Sequence, residues 1–268
     1  MYLLLLYYTS FTNHKDKDPD AISAEPMIIL NDYPVGHPKR RGYHKFQILW
    51  TLPLLGLYWL SIVFSMDIVT LQHQGALAVG INLDNDFVKR RRVYAVLSRV
   101  IYVLAVLVPP FYHHGRMTFW EPLAHLMAMG FIGSLVLSTL FIISHNFDSV
   151  DRDPTAEARE MKNDNGTNNS NQKGVCWYKS QVETSSTYGG FVSGCLTGGL
   201  NFQIEHHLFP RMSSAWYPFI APSVREVCRK HGVQYTYYPW IWQNLYASAQ
   251  HIYSAGIGSL STKEKKDC

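Results

Sequence analysis

Charge is scarce in this chain. Only 16% of its 268 residues are Asp, Glu, Lys or Arg, while 47% are hydrophobic. Ordinary soluble domains carry about a quarter charged residues. The apolar residues here gather in runs, so the composition points to a membrane protein. Cysteine is scarce too: Cys176, Cys195, Cys228 and Cys268, with no CxxC pair. That argues against a disulfide framework or zinc ribbon and leaves ordinary thiols in a reducing compartment. No internal repeat is visible. No basic segment precedes the opening MYLLLLYY, which is too short to span a bilayer and does not read as a secretory signal. The net charge is a modest +4. Its basic residues sit in short blocks, Lys39-Arg40-Arg41 and Lys89-Arg90-Arg91-Arg92, not interleaved with aromatics along a polar face. Such blocks read as cytosolic membrane flanks, and no nucleic-acid partner is expected.

Three long apolar stretches organise the chain: Phe46 to Met66, Val93 to Tyr112 and Met117 to Ile143. Each is long enough to cross about 30 Å of hydrocarbon at roughly 1.5 Å per residue. The second carries Arg99 near its start, where a long side chain snorkels to the interface, and reaches a helix stop at Pro109-Pro110. Only His113 to Arg116 separate the second stretch from the third, which predicts an antiparallel hairpin. Basic clusters flank the first stretch on both sides, so a single crossing would leave one of them on the trans side. Pro53 and Gly56 within it allow a re-entrant or interfacial course instead. The expected topology places residues 1–92 and 144–268 in the cytosol, with an immersed apolar segment and a two-helix hairpin whose turn lies opposite.

Residues 148–173 form a polar insert of low complexity that reads as a mobile loop. Its two glycosylation sequons, at Asn165 and Asn168, would go unused in the cytosol.

The run Gln203-Ile204-Glu205-His206-His207-Leu208-Phe209-Pro210 is the chain's most informative feature. On a helix, positions i, i+3 and i+4 share a face, so Gln203, His206 and His207 are expected to converge while Ile204 and Glu205 face elsewhere. Imidazole and amide donors grouped this way suit a borderline metal such as iron or zinc. In isolation a surface HH pair is more often solvated. Here it follows long apolar segments and a Gly-rich run. His145 lies just past the third apolar stretch, where a histidine is usually interfacial, but a second donor cluster on the same side of the membrane makes it a candidate ligand. His125 reads as buried polar packing, and His113 and His114 as solvated turn residues. The remaining histidines show no ligand spacing.

The block from Gln181 to Gly190, continuing through Gly198-Gly199-Leu200-Asn201-Phe202 into QIEHHLFPRMSSAWYP, resembles the C-terminal half of membrane front-end fatty-acyl desaturases. It is most similar to the Δ5-type enzymes of microalgae and related protists. In that family the third histidine box begins with Gln, which Gln203 matches. Thr12-Asn13 and Asp18-Pro19-Asp20 match the segment that follows the family's second box. The resemblance runs from Phe11 to about Gly256, giving a desaturase region over 11–256, a non-matching segment over 1–10 and a polar tail over 257–268.

The resemblance implies an all-α membrane protein: the transmembrane hairpin, the immersed segment and a cytosolic helical cap carrying the metal site. It implies a non-haem diiron centre on the cytosolic face of the endoplasmic reticulum membrane. Here His145 would be the family's further histidine near the last span, and Gln203, His206 and His207 its third box. It also implies O2 as co-substrate, electrons from cytochrome b5, and an acyl chain entering an apolar tunnel from the lipid. Trp216, Tyr217 and Trp240 are candidates to line or cap that tunnel, with ordinary core packing the simpler reading of each.

The sequence departs from the family in lacking the first box, H-x-x-x-H, and the second, H-x-x-H-H. The second box's HH pair would fall at Tyr8-Thr9. About half of the expected ligands are therefore missing, and the chain is expected to be an inactive, incomplete version of a desaturase. A noncatalytic membrane protein that partners or regulates an intact desaturase is the alternative. A related histidine-box lipid hydroxylase is another, against which the Gln-first box argues.

Overall fold

The computed structural model describes residues 24–61 except 32 and 34, 86–112, 118–147 and 176–259. The 1–10 segment, the 113–116 turn, the 148–173 insert and most of the 257–268 tail lie outside the described residues. Two compact units emerge: Thr51–Thr139, and a second that joins Met1–Trp50 to Leu140–Cys268.

The Thr51–Thr139 unit is helical. Helix α1 (Gln47–Ser61) enters it and runs on through Pro53. Its 15 described residues measure about 22 Å. Helix α2 (Asp86–Tyr102) gives way to a π-helical turn at Val103–Leu107, and Pro109 opens a short helical turn, Pro109–Tyr112. Proline suits that first position, where no amide hydrogen is needed. Helix α3 (Trp120–His145) has 26 residues, about 39 Å. Among the described residues it is the one helix long and apolar enough to cross a membrane, and Val96–Tyr112 is a shorter apolar helix. Glycines bring α1 and α3 together: a Cβ on Gly56 would collide with the Phe131 ring, and one on Gly130 would meet the Trp59 indole at 2.6 Å. Ser134 Oγ donates to the Leu55 carbonyl at 2.7 Å across the same contact. Small residues of this kind let apolar helices approach closely where no water drives them together. His125 is exposed and borders a groove with Pro109, Pro110 and Met129, so it does not pack in a core as expected.

The other unit departs from an all-helical plan in one respect. Strands β1 (Ser186–Tyr188) and β2 (Thr236–Tyr238) pair in parallel, Ser186 opposite Thr236. Parallel strands need a long crossover. Here the crossover carries α5 (Phe191–Thr197), α6 (Gln203–Leu208) and α7 (Tyr217–Lys230). Helix α4 (Trp177–Glu183) precedes β1, and α8 (Ile241–Ile257) follows β2. The Gly-rich run is explained at the turn from α5 to α6. Gly198 and Gly199 have φ of +64° and +88°, a left-handed region that costs other residues about 1–2 kcal/mol. A Cβ at Gly199 would also sit 2.6 Å from Ser214 Cβ.

The N-terminal segment packs on α8 through buried polar groups. The Gln47 amide accepts from Ile29 N–H at 2.9 Å and donates to the carbonyls of Ile29 and Ile252, at 2.9 and 2.7 Å. His44 Nδ1 accepts from the Arg41 amide at 2.8 Å, so its proton lies on Nε2, which donates to the Pro26 carbonyl at 2.7 Å. Arg40, part of the first basic block, caps α8: its guanidinium donates to the carbonyls of Gly256 at 2.6 Å and Ala255 at 2.7 Å. A cation at a helix C-terminus satisfies orphan carbonyls and complements the helix dipole.

Candidate metal centre

The residues of Gln203-Ile204-Glu205-His206-His207-Leu208 divide several tasks among them. Ile204 is fully buried against Val182 of α4 and Cys228 of α7, with Leu208 beside it. Burial of such a side chain is worth about 1.5–3 kcal/mol and fixes the apolar face of the helix. Beside that face, Gln203 and His207 are one turn apart. Gln203 Nε2 lies 2.9 Å from His145 Nε2 and 3.2 Å from His207 Nε2. The rings of His145 and His207 stand edge to face, centroids 5.1 Å apart. All three side chains are buried.

An amide NH2 has two hydrogens and no lone pair. Donating to both histidines, it requires each to be neutral, with a lone pair on Nε2 and the proton on Nδ1. Two imidazole lone pairs therefore point at one spot, and a half-turn about the last side-chain bond brings the amide oxygen there. Among the described residues, no three His, Cys, Asp or Glu side chains group to hold a metal ion; the third converging donor is this amide. The donor set, two neutral imidazoles and an amide, suits a borderline divalent metal such as iron.

His206 faces a different way. Its Nδ1 lies 3.3 Å from the hydroxyl of Tyr217, which is 2% exposed. That hydroxyl donates toward the carbonyls of Met212 and Phe209, at 3.2 and 3.4 Å. Its single proton thus committed, it accepts from His206 Nδ1–H, which leaves the lone pair on Nε2. Burial lowers the His206 pKa and favours this neutral form. The sequence placed Gln203, His206 and His207 on one face. In fact adjacent helical residues diverge by about 100°, so with Gln203 and His207 aligned on His145, His206 swings toward Tyr217. The ring centroids of His206 and His207 are 5.7 Å apart.

His145 is steadied from behind. The last turn of α3 has carbonyls without helical partners. Ser186 Oγ of β1 donates toward Ile143 O at 3.3 Å and Ser144 O at 3.4 Å, and Ser248 Oγ of α8 toward Ile143 O at 3.5 Å. Asn244 Nδ2 holds Ser186 Oγ at 3.2 Å. Sequence reasoning passed over these supporting residues, since none carries a local signal. It did single out Tyr217, which is buried as core packing required. Trp216 and Trp240 are instead exposed, at 61% and 56%, and do not pack in a core.

The family model for fatty acid desaturases matches residues 7–239. The chain belongs to the fatty acid desaturase family. It is 31% identical to an acyl-lipid (7-3)-desaturase of Rebecca salina over 91% of this chain and 50% of the relative. An acyl-lipid (8-3)-desaturase of Physcomitrium patens is 30% identical over 92% of this chain and 48% of its own length. Delta(5) fatty acid desaturase A of Dictyostelium discoideum is 26% identical over 92% and 50%. The chain thus spans about half the length of the curated relatives it matches. No solved structure gives a significant match. The family is membrane-bound, acts on fatty acyl lipids and generally uses two irons.

Proposed function

We propose that this chain belongs to the machinery of O2-dependent front-end desaturation of polyunsaturated fatty acyl chains, at Δ5, and contributes iron ligands through His145, Gln203, His206 and His207. The convergence of His145, Gln203 and His207 carries the reading, and family membership supports it. Iron bound there would supply O2 activation and hence removal of hydrogen from an unactivated methylene. The protein's own part is to hold the imidazoles neutral with an unprotonated Nε2, through the Gln203 amide and the Tyr217 hydroxyl, and to keep Gln203, His145 and His207 buried. Electrons would come from cytochrome b5, with the site on the cytosolic face of the endoplasmic reticulum membrane, 113–116 on the opposite side, and a desaturase region over 11–256.

None of the twelve histidines shows H-x-x-x-H or H-x-x-H-H spacing. Four donors are about half of what a two-iron centre needs, so the chain by itself is inactive on this reading. The same observation favours a second reading: a noncatalytic membrane protein that partners or regulates an intact desaturase. Yeast fed C20 polyunsaturated acids tests both. The chain is expressed alone and together with an N-terminal half that carries the two boxes, and fatty acids are read by gas chromatography. A new double bond only in the pair supports desaturation. Product from the chain alone overturns its inactivity, and no product in either, with protein present, favours the noncatalytic reading.

A further inference from the structure

Glu205 lies between the candidate ligands yet points away from them, and it is fully buried. Each carboxylate oxygen has its own hydroxyl donor: Tyr235 Oη to Oε1 at 2.6 Å, and Thr187 Oγ1 to Oε2 at 3.1 Å. Thr187 is the middle residue of β1, and Tyr235 immediately precedes β2. The guanidinium of Arg225, on α7, stacks over the rings of Tyr235 and Tyr237 at 5.1 and 4.0 Å. At 2.6 Å the Tyr235 bond is at the short end of hydroxyl hydrogen bonds.

A buried carboxylate is costly, and an apolar side chain of similar size is often as stable or more so. What the carboxylate adds is direction. Helix α6 has six residues, too few to be stable alone. Its apolar contacts through Ile204 resist withdrawal from the core but constrain rotation weakly. Two hydroxyls on separate elements, bonded to separate oxygens, fix both rotation and translation. We propose that Glu205 is a positioning residue for the candidate metal centre: anchored to Thr187 and Tyr235, it sets the rotation of α6 so that Gln203 and His207 face His145. This rests on the reading of the centre given above.

The test uses the full chain in lipid nanodiscs with 15N-labelled histidine. Signals of His145 and His207 are assigned by their loss in His145→Ala and His207→Ala. Glu205→Gln keeps the shape but replaces one acceptor with a donor, and Tyr235→Phe removes one donor while leaving the ring under Arg225. Both variants are expected to shift or broaden the His145 and His207 ring-nitrogen signals. Cobalt(II) affinity, followed by its visible absorption, should fall roughly tenfold or more, as is usual when support of a metal ligand is lost. Ring signals that coincide with wild type overturn the proposal, even if the melting temperature falls, because that is a structural role alone. Should wild type bind no cobalt(II), the metal-centre reading fails while the ring-nitrogen comparison still decides the role of Glu205. If Glu205→Gln does not fold, Tyr235→Phe decides.

Discussion

The side-chain nitrogen of Gln203 sits 2.9 Å from Nε2 of His145, a residue 58 positions earlier in the chain. An amide thus occupies the point toward which two imidazoles aim. Gln203→His would place three imidazoles there and should tighten binding of zinc(II) or cobalt(II), while Gln203→Ala should weaken it. Titration of the purified chain checks this, and equal affinities would show that position 203 does not face the other donors. Whether desaturation survives in the Gln203→His variant paired with an N-terminal half is a separate question. The geometry predicts a loss of activity, because a ring differs from an amide in reach and basicity.

Ile204 anchors the same helix. Replacement by alanine removes a fully buried side chain from the contact of α4, α6 and α7. The expected loss is about 2–5 kcal/mol, read by denaturant unfolding. A loss below about 0.5 kcal/mol, the usual range of surface changes, would contradict its place in the core.

Gly199→Ala combines a φ of +88° with a 2.6 Å approach to Ser214 Cβ. It should destabilise by at least 1–2 kcal/mol, roughly the cost of a left-handed residue with a side chain. Gly42→Ala meets nothing within 4 Å and has an unstrained backbone, so it is the matched control.

Arg40→Met retains the apolar stem and deletes the cap on α8. Hydrogen bonds from charged groups contribute about 1.5–3 kcal/mol each, so a loss of about 2 kcal/mol or more is expected. Amide hydrogen exchange in the last turn of α8 should quicken selectively. Unchanged protection there would show that the cap is not formed.

The proposed topology is open to chemical labelling. Cys195 is an exposed native thiol near the candidate centre's elements, and Tyr112 is 84% exposed just ahead of α3. If α3 crosses the membrane, Cys195 and a Tyr112→Cys variant react with an impermeant maleimide from opposite sides. Reaction of both from one side would overturn the hairpin.

Much of this was legible in the sequence wherever a short pattern carried the physics. Helix α3 was visible as an apolar run, and the segment from Gln203 to Leu208 was marked by residue type as a candidate donor cluster. His145 was singled out because it follows that run, and it does meet Gln203 and His207. The direction of His206 was not legible, since it depends on which of two neighbouring faces is claimed by His145. Nor were the partners of Glu205: Thr187 and Tyr235 meet only because β1 and β2 pair across roughly fifty residues, and strands of three residues leave almost no periodic signal. Arg40 belonged to a block whose composition suggested a membrane flank, while its guanidinium does the work of a helix cap.

The Arg40 contact has a consequence for the order of assembly on the ribosome. Arg40 emerges 216 residues before the Gly256 carbonyl it binds, and Ile143 emerges 105 residues before Ser248, which helps to brace it. Synthesis proceeds at about 5–20 residues per second, so these early segments wait many seconds for α8. His145 is therefore steadied by its full set of neighbours only after α8 has been made. Any metal that bound before that point would meet an unbraced histidine.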